Sequence, residues 1–274
     1  MALSLHARPA ARFALSLLCL LSFSAPTLSN ESSQEPVALD VPYVPTPDTV
    51  VYRMLELAEL QPDDYLIDLG SGDGRIVIAA ARDWNVQKGY GIDIDPQRVD
   101  EARMNARYAK VDERVSFERD NIFEMDFSDA DVLTMYLLPQ INLDLRPLIL
   151  ERLRPGTRVV SHSFDMGEWR ADESIEVHKR YVYKWIVPAK LAGSWQLTKA
   201  DGSTLTLELE QKFQFVEGQA KSGDKLFPLA FSALRGKDFR FSVNGEHFSA
   251  QVEGDEMLAV PGNQTIEGWH AKRI

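Results

Sequence analysis

Cysteine is almost absent from this 274-residue sequence, which contains a single one, Cys19, within an apolar run near the N-terminus. The remainder of the chain therefore offers no disulfide framework, no thiolate metal site and no cysteine nucleophile. The five histidines are scattered along the sequence. No metal site is predicted, because a structural or catalytic centre needs several such ligands at close spacing.

Positive charge is also scarce, since 30 Lys and Arg stand against 41 Asp and Glu and give a formal net charge of −11. Binding to a phosphate backbone draws on Lys and Arg, so no nucleic-acid partner is expected. A protein or small-molecule partner fits this balance better. Long apolar runs are missing as well, and we expect no transmembrane span in the mature chain.

The N-terminal 29 residues have the three parts of a secretory signal. Basic residues at 6, 8 and 12 precede an apolar run over residues 13–21, and small and polar residues follow it. This pattern predicts a signal peptide over residues 1–29 and an exported, periplasmic protein. The alternative is an uncleaved membrane anchor.

Beyond a polar linker at residues 30–40, the segment 41–178 alternates apolar strand patterns with helical ones. Strands are predicted at 65–69, 89–93, 115–118, 130–137 and 157–161, and helices at 75–83, 96–110 and 142–153. Strand–helix alternation favours an α/β fold with a Rossmann-like, doubly wound and mostly parallel sheet.

Residues 179–274 show only short alternating runs separated by turn residues, among them Asn244-Gly245, a strong hairpin pattern. This part is predicted to be a small antiparallel β-meander or barrel. We expect its aromatic residues to form its core, with a binding face as the alternative. They are Trp195, Phe213, Phe215, Phe227, Phe231, Phe239, Phe241, Phe248 and Trp269.

A glycine-rich loop follows the first predicted strand, with glycines at 70, 72 and 74. Glycines let the backbone turn sharply and approach a ligand closely, and the start of the next helix suits a carboxylate. A dinucleotide fingerprint would need its third glycine at 75, where the sequence has arginine. The predicted ligand contacts in this segment are Asp68, Gly70, Ser71, Gly72 and Gly74.

Two further acids follow the next two strands at spacings that suit an adenosyl group. Asp93 can accept both ribose hydroxyls, and Asp120, beside Asn121, can accept from the adenine amine. Ile94 and Ile122 can flank the ring. Each acid alone is best explained as a solvated loop carboxylate, whereas the three features in this order favour an adenosyl site.

Three stretches resemble class I S-adenosylmethionine-dependent methyltransferases, and among them the small protein-lysine methyltransferases of archaea and mitochondria. They are Pro42-Tyr43-Val44-Pro45-Thr46-Pro47, the run from Asp68 to Ile78, and Tyr136-Leu137-Leu138-Pro139 with the downstream run from Pro155 to His162. The resemblance implies S-adenosyl-L-methionine as cofactor and N-methylation of lysine on a protein. Tyr43 and Thr46 would then form a lid over the cofactor, or a rigid proline-fixed start to a helix.

Tyr136 is the first candidate for the acceptor pocket, because it ends the fourth predicted strand, where enzymes of this fold present the acceptor. Its ring can hold a cationic amine and its hydroxyl can accept a hydrogen bond. The alternative is a half-buried strand tyrosine. His162 is a possible base, although a structural histidine is favoured, and Trp169 is expected in the core or in a lid.

The leading hypothesis is a methyltransferase that N-methylates a protein lysine or another amine by direct displacement. Two alternatives stay open at this point. The chain can methylate a small molecule, with the β-rich part capping the pocket. It can also be an exported, non-catalytic binding module that retains an adenosyl-ligand site.

Overall fold

The computed structural model describes residues 43–262 and 264–274. The predicted signal peptide, the predicted linker at 30–40 and Cys19 lie outside the described residues. Across the described ranges, every helix is too short or too polar to traverse a lipid bilayer.

The first part of the described chain is a seven-stranded sheet with helices on both faces, which confirms the predicted fold class. Its elements are α1 (Asp48–Leu57), β1 (Tyr65–Leu69), α2 (Arg75–Asp83), β2 (Lys88–Asp93), α3 (Pro96–Ala109), β3 (Val115–Arg119), β4 (Val132–Met135), α4 (Pro139–Arg152), β5 (Arg158–His162), β6 (Glu173–Val177) and β7 (Arg180–Ile186).

The sheet has the strand order β3-β2-β1-β4-β5-β7-β6. The first five strands are parallel, and β7 runs antiparallel to both of its neighbours. Since the strand order reverses beside β1, a crevice opens at the carboxyl ends of β1, β2 and β4. One buried cluster packs α1, α2 and α3 on one face, and a second packs α4 on the other.

Local sequence explains where the helices next to this crevice begin. α2 starts directly after Gly74, which has a left-handed backbone with φ of 80°. α3 starts after Asp95, whose side chain accepts a 2.8 Å hydrogen bond from the Gln97 N–H, and Pro96 occupies the first turn. Both helix starts therefore lie at the carboxyl edge of the sheet.

The second part is a closed antiparallel barrel of eight strands, in the order β10-β11-β12-β13-β14-β15-β8-β9. Its strands are β8 (Gly193–Thr198), β9 (Thr204–Lys212), β10 (Phe215–Ser222), β11 (Lys225–Arg235), β12 (Asp238–Val243), β13 (Glu246–Glu253), β14 (Glu256–Ala259) and β15 (His270–Arg273). Trp195, Phe239, Phe241, Phe248 and Trp269 are buried inside it.

The expected boundary at 178/179 differs from the structure, because β7 pairs with β5 and β6 in the first sheet. The barrel strands begin only at Gly193. The aromatic prediction also needs correction at three positions. Phe215 and Phe231 are 51% and 54% exposed, and Phe213 packs against Trp169 of the sheet part instead of the barrel core. A register shift between Leu229 and Phe231 breaks the alternation of β11, and Phe231 consequently lies on the outer face.

The connector at residues 187–192 joins the two parts through a dense set of hydrogen bonds. Its first residue, Val187, exchanges bonds with the turn before β5 at 2.8 and 2.9 Å. Ala189 N–H donates to Gly236 O at 2.8 Å, and Gln211 bonds both Ala189 O and Leu191 N–H. Arg273 donates to the last carbonyls of the connector. The connector is therefore packed against both parts.

Candidate active site

The glycine loop between β1 and α2 turns tightly beneath the ring of Tyr43. Gly70, Gly72 and Gly74 have φ values of 73°, 53° and 80°, which disfavour residues with a Cβ. A Cβ at Gly72 would lie 2.5 Å from the Tyr43 ring. The Ser71 N–H donates to Ile92 O at 2.8 Å and thereby fixes the loop to the end of β2.

Asp93 organises the loop from the end of β2. One carboxylate oxygen accepts from the Gly72 N–H and the other from the Asp95 N–H, both at 2.9 Å. Each carboxylate oxygen can accept two hydrogen bonds, so both keep capacity for a neighbouring diol. The arrangement suits the ribose hydroxyls for which the sequence proposed Asp93.

A cavity at this edge brings together the predicted site residues from the N-terminal loop, the glycine loop and the ends of four strands. They are Tyr43, Thr46, Asp68, Gly70, Ser71, Gly72, Asp93, Ile94, Asp120, Asn121, Ile122 and Tyr136. Gly74 does not line the cavity. A Cβ there would lie 2.7 Å from the ring of Phe117 and 2.9 Å from Ala102, so this glycine allows close packing of the loop on α3 and β3.

Asp68 is a buried carboxyl at the end of β1. Burial raises its pKa to about 7, while a 2.7 Å hydrogen bond from the Thr134 hydroxyl opposes the rise. Since the group titrates near neutral pH, a cationic ligand placed beside it would favour the ionised form.

The cavity fits an adenosyl ligand with a carboxylate and cationic groups. The Ser71 hydroxyl lines it, is buried, and has no hydrogen-bond partner among the described residues. Such an orphaned group is costly unless a ligand or water satisfies it. Asp93 and Asp120 line the cavity with carboxylates that can accept hydrogen bonds from an adenosyl group, and the start of α2 also lines it and suits a carboxylate.

The N-terminal loop is strapped over this cavity by Thr46. Its carbonyl oxygen accepts from Arg75 at 2.8 Å, and its hydroxyl lies 3.2 Å from His162 Nδ1. Arg75 in turn pairs with Asp73 at 2.6 Å. Burial raises the pKa of Asp73, but the pairing with Arg75 outweighs this and lowers it.

Aromatic side chains and one arginine surround Tyr136, which lines the cavity. The Tyr136 ring lies 4.0 Å from the imidazole of His162 and stacks 6.3 Å from Phe164, measured between ring centroids. Arg180 donates to the Tyr136 hydroxyl at 3.2 Å. His162 is fully buried, and burial, with the charge of Arg180, lowers its pKa to about 4. The imidazole is thus neutral at pH 7, and Trp169 is a core residue.

Sequence reasoning missed Arg75, Asp73, Thr134 and Arg180. The first two lie in the glycine loop, but the contact of Arg75 with Thr46 depends on how the N-terminal loop folds back. Arg180 was assigned to the β-rich part, and its contact with Tyr136 spans 44 residues. In the described ranges, no three His, Cys, Asp or Glu side chains are grouped as metal ligands.

The comparisons with known proteins concern the part of the chain that forms the sheet. A family model described as the ANTKMT methyltransferase domain matches residues 68–173. The "Protein-lysine N-methyltransferase" of Saccharolobus islandicus (strain REY15A) is 48% identical over 149 residues, which are 52% of this chain and 92% of that protein. The "Adenine nucleotide translocase lysine N-methyltransferase" of Mus musculus is 32% identical, over 49% of this chain and 58% of that protein.

A solved structure supports the same assignment. The "RNA methyltransferase from Salinibacter ruber in complex with S-Adenosyl-L-homocysteine" is 52% identical with a TM-score of 0.53, and the match covers 54% of this chain and 96% of that one. The matches to the Saccharolobus and Salinibacter proteins cover nearly the whole length of both. The geometry of the crevice agrees with them. The chain belongs to the class I S-adenosylmethionine-dependent methyltransferases, and it is an enzyme whose cofactor is S-adenosyl-L-methionine.

Proposed function

We propose that this enzyme methylates the side-chain amine of a lysine in a protein. The observation that carries the proposal is the near-complete match to the Saccharolobus protein-lysine N-methyltransferase. The mouse relative is also named for a lysine acceptor. An amine acceptor suits the part of the cavity that Tyr136 lines, because its ring and hydroxyl offer a contact for a nitrogen group.

We further propose that the cavity residues divide into a cofactor set and an acceptor residue. Tyr43 and Thr46 cover the cofactor; Asp68, Ser71 and the glycine loop hold its amino-acid end. Asp93 binds the ribose, and Asp120, Asn121, Ile94 and Ile122 bind the adenine. Tyr136 contacts the acceptor.

When held by the cofactor set, S-adenosyl-L-methionine would supply an electrophilic methyl group on a sulfonium. Transfer to the amine would leave the sulfur with the electron pair of the broken bond and release a proton from the product amine. The protein has to align the reacting groups and exclude water. Tyr43, held over Gly72, and the strapped Thr46 close the loop side of the cavity. Tyr136 orients the amine, and no protein nucleophile is needed.

Protein rather than RNA is the acceptor in this proposal. The Salinibacter structure is named as an RNA methyltransferase, so the two acceptor classes must be distinguished by experiment. The net charge of −11 supports a protein, because phosphate binding depends on Lys and Arg.

Export remains part of the proposal. The charged start, the apolar run and the small-residue segment of residues 1–29 support a cleaved signal peptide, followed by a linker at 30–40 and a periplasmic enzyme. N-terminal sequencing of the protein from a periplasmic fraction tests this. A mature start near residue 30 is expected, whereas an intact Met1 in the membrane fraction would favour the uncleaved anchor.

An isotope-transfer experiment tests the acceptor. The protein is incubated with S-adenosylmethionine carrying a deuterated methyl group and with separated protein, RNA and small-molecule fractions of the producing cells. Mass spectrometry is expected to find label on lysine side chains of a protein. Asp93→Ala, which removes the ribose acceptor, should bind S-adenosylhomocysteine at least about tenfold more weakly and lose the labelling. The exposed Asp100→Ala on α3 is the matched control. Label confined to RNA or to small molecules would overturn the proposal.

A further inference from the structure

Three side chains form a row at one edge of the sheet, across β4, β5 and β7. Tyr136 follows β4, His162 ends β5 and Arg180 begins β7. Alternate residues of a strand share a face. The residues two positions away on that face, Thr134, Val160 and Val182, are all buried on the side covered by α1, α2 and α3. The row therefore lies on a single face of the sheet.

The three side chains differ in burial and charge. His162 is fully buried, Tyr136 is half-buried and Arg180 is exposed. Tyr136 contacts both of the others: its ring centroid lies 4.0 Å from the imidazole centroid, and its hydroxyl lies 3.2 Å from the Arg180 guanidinium. Since Tyr136 lines the cavity, the positive charge lies one side chain away from the proposed acceptor position.

The position of Arg180 is fixed by the hairpin that joins β6 to β7. Val177 pairs with Arg180, and the two turn residues between them, His178 and Lys179, have φ values of 49° and 64°. Positive φ at both central positions is the geometry of a two-residue hairpin turn. Arg180 forms no ion pair with any described residue, so its charge is not neutralised by a neighbouring carboxylate.

We propose that Arg180 is a positioning residue for methyl transfer, which holds the Tyr136 hydroxyl and keeps the acceptor amine unprotonated. This inference rests on the proposed function, because it requires an amine acceptor. A positive charge within a few ångströms disfavours a second one and so lowers the pKa of an amine. Only the neutral amine has the lone pair that the reaction uses.

The neighbouring elements carry charges of both signs. They are Asp68 on β1, Asp93 on β2, the Asp73–Arg75 pair of the glycine loop, His162 on β5, Asp165 beyond it, and His178, Lys179 and Arg180 at the start of β7. Asp68 and Asp93 would favour a protonated amine. Arg180 opposes them, and the Tyr136 hydroxyl sets the distance at which it acts.

The test compares Arg180→Gln with Lys179→Gln, which removes the same charge from the adjacent exposed position. With the lysine protein identified by isotope transfer, kcat is measured against pH at saturating lysine protein, because kcat reports the protonation of the bound amine. Arg180→Gln is expected to move the acidic limb upward by about one pH unit, which is about a tenfold loss on that limb and little loss at high pH. Lys179→Gln should leave the profile unchanged, and Arg180→Lys should restore most of it.

Two further measurements separate position from charge. Tyr136→Phe removes the hydroxyl, so the positioning part of the Arg180→Gln effect on kcat should be absent in that background. NMR titration of His162 should show a higher imidazole pKa in Arg180→Gln than in Lys179→Gln. An equal loss of rate at every pH, or equal shifts in the two Gln variants, would overturn the inference. Failure of the wild type to label any lysine would instead overturn the proposed function itself.

Discussion

Asp68 and His162 are buried titratable groups whose pKa values move in opposite senses. Burial raises that of Asp68 to about 7, although Thr134 donates to its carboxylate. Burial and the Arg180 charge lower that of His162 to about 4. In the folded state both groups therefore favour their neutral form over much of the range between pH 4 and 7.

These two shifts have opposite effects on stability. As pH rises from about 4 to 7, an unfolded chain loses the Asp68 proton before the folded one does, so stability falls. As pH rises over about the same window, an unfolded chain loses the His162 proton that the folded protein never bound, so stability rises. In the wild type the two contributions largely cancel.

Single substitutions should expose each contribution. In Asp68→Asn, the free energy of unfolding should rise with pH between about 4 and 6.5, by up to about 1.4 kcal/mol per pH unit relative to wild type. In His162→Gln it should fall over a similar window. Urea unfolding at several pH values measures both slopes, and curves parallel to that of the wild type would contradict the prediction.

The cavity residues at the glycine loop and at the ends of β2 and β3 could be predicted from the sequence, whereas the contacts around Tyr136 could be predicted only in part. Asp68 and Asp93 lie at the carboxyl ends of β1 and β2, and Asp120 directly follows β3. The carboxyl ends of neighbouring parallel strands meet at one edge of the sheet. Arg180 reaches Tyr136 only because an antiparallel strand is inserted beside β5, and no local pattern specifies that pairing.

At the scale of elements, β1 to β5 and α2 to α4 follow from periodicity, while β6, β7, β10 and β14 do not. Residues 204–215 are one of the short alternating runs of the sequence, which predicts a single strand there. In the structure Phe213 adopts a left-handed backbone with φ of 56° and starts a turn between β9 and β10. β7 has the alternation of a barrel strand, and its place in the first sheet depends on pairing with β5.

Lys184 illustrates a contact that sequence could not reveal. It lies in the middle of β7 with its side chain 1% exposed, and its amine pairs with Glu59 and Glu173, each at 2.8 Å. The hydrogen bond and charge of Lys184 lower the pKa of Glu59. The pair of contacts joins the segment after α1 to the edge strand β6.

Removing the two acids should harm the protein more than removing the cation. Glu59→Gln with Glu173→Gln leaves Lys184 buried without a counter-charge, which should cost about 3 kcal/mol or more. Lys184→Met keeps most of the bulk without the charge and should cost about 1 kcal/mol or less. The free energy of unfolding of each variant is measured with urea at neutral pH. A Met variant as unstable as the double Gln variant would contradict the prediction.

The β9–β10 turn docks the barrel on the loop between β5 and β6. The Phe213 ring stacks on Trp169 at 6.2 Å, and the Arg146 guanidinium lies 5.6 Å from the centroid of the Phe213 ring. Gln214 donates to Arg170 O at 2.7 Å. This loop also carries Phe164, which stacks on Tyr136. The barrel thus contacts the loop that packs against Tyr136, which lines the cavity.

Phe213→Ala should therefore reduce both stability and methyl transfer. The lost stacking should cost about 2 kcal/mol, and a looser loop should lower kcat more than cofactor affinity. Phe215→Ala, two residues away and 51% exposed, should change stability by less than about 0.5 kcal/mol. Urea unfolding and kcat are measured for both. Equal effects of the two variants would argue against a contribution of the Phe213 contact to the loop between β5 and β6.

At the scale of the molecule, the sheet and the barrel are joined by tight backbone packing as well as by side chains. A Cβ at Gly236 would lie 3.0 Å from the Cα of Gly156, which belongs to the turn before β5. Arg235 pairs with Glu173 at 3.0 Å beside it. We expect the two parts to unfold in a single transition.

Two glycines with similar backbones test this junction. Gly236 and Gly245 have φ values of 59° and 80°, so alanine is strained at both. Only at Gly236 does the added Cβ meet another segment, whereas the space at Gly245 is open. Gly236→Ala should lower Tm by several degrees more than Gly245→Ala and should split the calorimetric transition. Similar thermograms for both variants would show that the junction is not tightly packed.

The connector at residues 187–192 has a consequence for the choice of substrate. Because its backbone is bonded to the sheet and to the barrel, the barrel cannot swing as a tethered module would. For any partner that docks on the barrel, the span from the docking point to Tyr136 is constant. Among the lysines of such a partner, only those whose distance from the docking point equals this span come within reach of the methyl group.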